Sequence, residues 1–194
     1  MIMRIALFGG TFDPVHLGHV NAAKEVIRQN LVDEVWFIPV YWHAFKENVS
    51  ITALEHREKM IGLAIEGEPN LKVLDFDENP TYAIDTVEKA KKAHPGNEFF
   101  WLMGTNLVEE FSSWERPGAV LQEVRLILFP VPGSEGQKSE LIDSSNPIRV
   151  KDNAIDLSST VVRERLLKGE PVDDLLPEKV LSYINGNNLY SNGK

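Results

Sequence analysis

Short apolar runs at 3–8, 34–40, 71–76, 98–103 and 125–131 alternate with longer segments, at 17–29, 53–65 and 83–93, whose apolar residues recur at helical spacing. Several runs are apolar at consecutive positions, as expected of strands covered on both faces. A strand-helix-strand order of this kind predicts a parallel sheet of about five strands with helices on both faces, a doubly wound α/β architecture. Two further helices, at 159–168 and 177–185, close the chain as a C-terminal helical segment, the second with Pro177 at its start and Gly186 near its end. The polar, turn-rich stretch 131–137 is expected to be a mobile loop. There is no internal repeat, and the lysines at 89, 91 and 92 read as a solvated helix face. A length of 194 residues suits one core, so the chain 1–194 is expected to form one domain.

The first strand runs directly into Gly9-Gly-Thr-Phe-Asp-Pro-Val-His-Leu-Gly-His19. Ligands of open parallel sheets gather outside the carboxyl ends of the strands, so this stretch sits where a ligand is expected. Gly9 and Gly10 lack a Cβ and would let backbone N–H groups approach a phosphate, while the following helix aims its unpaired N–H groups the same way. His16 and His19, three residues apart, turn their rings to one side and would face the phosphates as cationic or hydrogen-bonding groups. A glycine pair is by itself an ordinary tight turn, and His-x-x-His also suits a metal, but no third ligand is evident nearby and no metal site is expected. The stretch fits neither the dinucleotide fingerprint nor the P-loop.

Composition narrows the ligand. A net charge of −9 and a pI near 5.1 leave no basic face for nucleic acid or a membrane surface, so an anionic ligand must be held by local groups. The absence of cysteine excludes disulfides, thiolate metal sites and cysteine nucleophiles. No stretch approaches the roughly 20 apolar residues of a membrane span, and the opening residues do not read as a removable leader. A cytoplasmic protein with no nucleic-acid or membrane partner is expected; a homo-oligomer is left open.

Gly9 to His19 resembles the signature of the nucleotidyltransferase superfamily, in which these glycines, the phenylalanine and the His-x-Gly-His element surround a nucleoside triphosphate. Leu157-Ser-Ser-Thr-Val-Val-Arg-Glu-Arg-Leu166 resembles its C-terminal Ser-Thr-x-x-Arg element. Ser158, Ser159 and Thr160 are natural helix caps, and Arg163 lies one turn on with a planar fork for phosphate oxygens. Along nearly its whole length the chain is similar to the bacterial nicotinate mononucleotide adenylyltransferases. The segments 81–86, 103–114 and 176–190 carry that similarity, with Trp114 in the place of a tryptophan that stacks on the pyridine ring.

The resemblance implies a Rossmann-like fold and transfer of AMP from ATP to nicotinate mononucleotide, a single nucleotidyltransferase domain working in NAD biosynthesis. It implies ATP contacts from Gly9, Gly10, Thr11, Phe12, His16, His19, Lys46, Gly104, Asn106, Ser159, Thr160 and Arg163. Mononucleotide contacts would come from Thr11, Lys46, Tyr82, Ala83 and Trp114, with backbone N–H groups near Tyr82 and Ala83 receiving the pyridine carboxylate. His16, His19 and Arg163 would be catalytic, with Mg²⁺ carried on the ATP phosphates. The chain also departs from the family pattern. Phe45 stands where a histidine is usual, with His43 either supplying the missing polar group or lying on the surface. Asn106 replaces an aspartate and Ala83 a threonine. With no covalent nucleophile implied, the mononucleotide phosphate would attack the α-phosphorus in line, and catalysis would be positioning plus charge neutralisation. A nicotinamide mononucleotide or dual-specificity enzyme, a phosphopantetheine adenylyltransferase and a silent nucleotide-binding regulator remain as alternatives.

Overall fold

A computed structural model describes residues 2–40, 51–74, 82–151 and 157–191. Its centre is a sheet of six parallel strands: β1 (Arg4–Gly10), β2 (Glu34–Pro39), β3 (Leu71–Val73), β4 (Glu98–Gly104), β5 (Arg125–Phe129) and β6 (Ile148–Arg149). The strand order is β3-β2-β1-β4-β5-β6, the order of a doubly wound, Rossmann-like α/β fold. The sixth strand corrects the expected count of about five. Its two residues are too few to generate a periodic signal, and it is set in place by pairing with Ile127 and Leu128. The third strand is also shorter than expected, ending at Val73, and residues 75–76 lie outside the described residues.

Alternate residues of each strand feed two cores. Ala6, Phe8, Phe100 and Leu102 face α1 (Leu17–Arg28), α2 (Leu54–Ala64), α6 (Ser159–Lys168) and α7 (Glu178–Gly186). Ile5, Leu7, Phe99 and Trp101 face α3 (Ala83–Ala93), α4 (Pro117–Glu123) and α5 (Glu140–Ser144). Burial on both sides explains the near-continuous apolar runs. The helices α4 and α5 were not anticipated; at seven and five residues they offer little helical period. No described helix is long and apolar enough to cross a membrane.

The order reverses between β1 and β4, whose neighbouring carboxyl ends, Gly10 and Gly104, open the crevice that such sheets use for ligands. The loop after β5 is stitched to this edge. The Val131 N–H donates to Thr105 Oγ1 (2.8 Å), Thr105 Oγ1 and Ser134 Oγ share a hydrogen bond (2.6 Å), and the Ser134 hydroxyl reaches the Val131 carbonyl (2.6 Å).

Candidate active site

A cavity of about 580 Å³ opens at this crevice. Its walls include the β1–α1 loop, the start of α3, the end of β4, Trp114 and the start of α6, so elements from both sides of the sheet meet around it. Among the expected site residues, Gly9, Gly10, Thr11, Phe12, His16, His19, Tyr82, Ala83, Gly104, Asn106, Trp114, Ser159, Thr160 and Arg163 all line it. Lys46 and the neighbouring departures His43 and Phe45 lie outside the described residues, as does Thr81.

The two histidines are organised by the backbone. His16 occupies the N-cap position of α1 in extended conformation, and its N–H donates to Nδ1 of His19 at 3.3 Å. A neutral ring that accepts at Nδ1 carries its proton at Nε2, so His19 has a fixed donor. The rings stack at 3.7 Å between centroids, and Phe12 meets His19 edge-on at 4.9 Å. Gly18 makes this possible, since a Cβ there would lie 3.0 Å from His16 Nδ1. Burial pushes His16 down to about 4, and burial followed by the charge of His16 pushes His19 well below its ordinary value. Burial therefore favours the neutral form of both rings at pH 7, the hydrogen-bonding one of the two roles expected of them. The rings are hydrogen-bonding groups here, and an adjacent polyanion would favour their protonated forms.

The glycine pair also has a packing role. The space a Cβ would take at Gly9 is filled by the Trp101 ring, 2.7 Å from that position, and at Gly10 by the Phe12 ring at 2.9 Å. Bareness at these positions serves aromatic packing under the loop. Both residues pair with β2, Gly9 opposite Ile38 and Gly10 opposite Pro39, whereas the ladder with β4 ends at Phe8.

The loop carbonyls are held by donors from distant elements. Arg57, 1% exposed on α2, donates from Nη1 to the Thr11 carbonyl at 2.8 Å and from Nε to the Thr52 carbonyl at 2.9 Å. Ser159 Oγ donates to the Pro14 carbonyl (2.9 Å) and Arg163 Nη1 to the Asp13 carbonyl (2.6 Å). Ser158 is the residue that caps α6, accepting from the Val161 N–H at 3.3 Å. Ser159 therefore tethers the loop instead of capping. Arg163 Nη2 lies 3.3 Å from Thr160 Oγ1, and among the described residues Arg163 has no acidic partner within ion-pair distance.

On the opposite wall, Tyr82 stands at the N-cap of α3 and makes no side-chain cap bond, so the first N–H groups of an eleven-residue helix begin at Ala83. Trp114 is half-buried, edge-on to Trp101 at 6.0 Å and tilted on Phe111 at 5.0 Å, with one surface on the cavity. It both packs and lines. Arg116 reaches Asp85 (3.5 Å) and Glu88 (3.6 Å), tying the Trp114 segment to α3.

Arg57 and Asp13 were not foreseen as site-building residues. Arg57 carried a signal, because with Met60 and Ile61 it falls at i, i+3 and i+4 on the buried face of α2, where a charge is out of place.

The cytidylyltransferase-like family model matches residues 7–165, which contain the loop, both histidines and Arg163. The chain belongs to this family. It is 40% identical to a Bacillus pumilus protein named probable nicotinate-nucleotide adenylyltransferase, over 96% of this chain and 98% of that one. It is 34% identical, with the same coverage, to the nicotinate-nucleotide adenylyltransferase of Bacillus subtilis. Among solved structures, the Plasmodium falciparum nicotinic acid mononucleotide adenylyltransferase complexed with NaAD superposes with a TM-score of 0.80 over 97% of each chain, at 22% identity, a likeness of fold.

Proposed function

We propose that the chain is a nicotinate-nucleotide adenylyltransferase, moving AMP from ATP to nicotinate mononucleotide to give deamido-NAD and pyrophosphate. The observation that carries this is the continuity of the cavity: a phosphate-facing loop with two histidines and Arg163 on one wall, and the start of α3 with Trp114 on the other. A nucleoside triphosphate and an acidic aromatic mononucleotide are the two chemistries those walls suit. The names of the relatives support the same reading.

In this reading ATP lies along Gly9, Gly10, Thr11, Phe12, His16, His19, Gly104, Asn106, Ser159, Thr160 and Arg163. The mononucleotide lies against Thr11, Tyr82, Ala83 and Trp114, and Lys46 serves both. Mg²⁺ belongs to the ATP and offsets charge on its phosphates; among the described residues no group of three His, Cys, Asp or Glu side chains could hold a metal of its own. A mononucleotide phosphate oxygen attacks the α-phosphorus, and the bond from that phosphorus to the bridging oxygen breaks with its electron pair leaving on pyrophosphate. The His19 Nε2–H and the remaining N–H groups of Arg163 donate to phosphate oxygens as negative charge moves toward the leaving group. The α3 N-terminus favours a carboxylate over an amide.

The whole chain 1–194 acts as one nucleotidyltransferase domain in the cytoplasm, without nucleic-acid or membrane partners, a placement its acidic charge supports. Pyrophosphate release measured with ATP and, separately, nicotinate mononucleotide, nicotinamide mononucleotide and phosphopantetheine tests the proposal. Release is expected with the first alone at physiological concentrations. Preference for either of the others, or no release at all, overturns it.

A further inference from the structure

Asp13 presents Arg163 with two very different acceptors. The guanidinium takes the main-chain carbonyl of this residue, at 2.6 Å, and leaves its carboxylate alone. That carboxylate is 4% exposed and turned toward other donors: the Tyr190 hydroxyl at 2.5 Å on Oδ1 and the Thr52 N–H at 3.3 Å on Oδ2. Arg57 contributes a second positive charge nearby, and the charge of Arg163 is felt at Tyr190. A buried carboxylate therefore sits within electrostatic reach of the cation that lines the cavity, and two hydrogen bonds keep it from closing on that cation.

Tyr190 is committed to this task. It lies past α7, and Asn188 and Tyr190 adopt left-handed backbone conformations (φ 52° and 56°), which cost energy for residues other than glycine and persist only where surrounding contacts dictate them. The Leu189 N–H closes onto the Ile184 carbonyl at 3.1 Å, fixing the approach of the tail. Burial, then the Asp13 charge, raise the Tyr190 hydroxyl above its ordinary value, so it is a donor at every working pH.

We propose that Tyr190 is a positioning residue that holds the Asp13 carboxylate away from Arg163, keeping the guanidinium charge uncompensated for the triphosphate. The inference rests on the adenylyltransferase reading for its ligand. Without the hydroxyl, Oδ1 of Asp13 loses its donor. Of the two guanidiniums beside this residue, Arg57 is held by the Thr11 and Thr52 carbonyls, and Arg163, already bonded to the carbonyl of Asp13, is the one the carboxylate is left to pair with. An internally neutralised Arg163 no longer draws phosphate, while α7 and the sheet are untouched.

The test is calorimetric titration of ATP with Mg²⁺ and no mononucleotide, so that no turnover is needed and failure of the catalytic reading cannot be mistaken for failure of this one. Tyr190→Phe is expected to weaken ATP binding about tenfold, the scale of one charge-assisted contact, with a melting temperature close to wild type. Arg163→Gln should weaken binding by a similar, about tenfold, factor in the wild-type background and add little to Tyr190→Phe, since the charge it removes is already spent. Asp13→Asn combined with Tyr190→Phe should restore binding to within a few-fold of wild type, because a neutral amide cannot neutralise Arg163. Unchanged ATP affinity in Tyr190→Phe, or a full additional loss on adding Arg163→Gln, overturns the inference.

Discussion

The imidazoles of His16 and His19 stack with centroids 3.7 Å apart and planes 25° from parallel, and the main-chain N–H of the first fixes the tautomer of the second. The stack is apolar beneath, against Phe8 and Phe12, and borders the cavity above. From this arrangement the proton on His19 Nε2 is aimed without any need for permanent charge. Replacing His19 by Ala removes the donor and leaves the strand ladders intact. Turnover is expected to fall about 10²–10³-fold, as for other single donors to a charge-developing phosphate or oxyanion, with the far-ultraviolet spectrum unchanged. Near-normal kcat in that variant would return the histidines to a packing role.

The neutral state of the pair has a pH signature. The unfolded chain holds a proton on His16 near the ordinary 6.5, the folded chain only near 4. Above pH 6.5 both states are neutral and the group contributes nothing; as the pH falls from 6.5 through 4 the unfolded state gains protons first and stability is lost. Linkage gives about 2 kcal/mol lost by pH 5 from this group alone, and His19 acts in the same direction. Glu25, held to about 2 by Arg28 and then Gln29, loses its contribution only below its ordinary 4.5, so the window from 6.5 to 5 isolates the histidines. Urea unfolding at pH 7 and pH 5 should show this decline, and His16→Asn should flatten it. A wild-type stability that holds constant across that window would mean the rings are charged in the folded chain.

Gly9 offers a test of packing beneath the loop. A methyl group there would sit 2.7 and 2.9 Å from two carbons of the Trp101 ring, which is itself 4% exposed and packed between the sheet and Trp114. A rigid buried indole has little freedom to retreat. Gly9→Ala is expected to cost about 1–3 kcal/mol in chemical denaturation, the usual range for overpacking. The displaced Trp101 would push on Trp114, so the KM for the mononucleotide should rise more than that for ATP. Wild-type stability in this variant would show that the ring can move at no cost.

The same positions mark the boundary of what the chain reveals unfolded. Apolar runs and helical periods place β1, β2, β4 and β5 and the helices α1, α2, α3, α6 and α7, because each is long enough for burial to leave a pattern. The two residues of β6 and the five of α5 are not. The loop signature and Arg163 point to phosphate chemistry because residue types at fixed spacing carry it. Their state is another matter. Neutrality of the histidines comes from burial, and the reason for Gly9 comes from Trp101, a residue 92 positions away. The Asp13 environment is assembled from Thr52, Arg57, Arg163 and Tyr190, which no local pattern brings together.

Trp114 separates substrate recognition from packing most cleanly. Its ring leans on Trp101 and Phe111 with one side, so truncation costs some stability, and lines the cavity across from the α3 N-terminus with the other. If a pyridine ring stacks there, Trp114→Ala should weaken mononucleotide binding by about 1–3 kcal/mol, as for bases on aromatic side chains, and leave ATP affinity nearly unchanged. Preference for the acid over the amide should survive in the variant. Stacking treats the two rings alike, whereas unpaired N–H groups at Ala83 and beyond respond to the carboxylate charge. Steady-state kinetics of wild type and variant with both mononucleotides at saturating ATP measure the two effects independently. An unchanged mononucleotide KM would assign Trp114 to the core, and equal use of acid and amide by the wild type would remove the carboxylate role of α3.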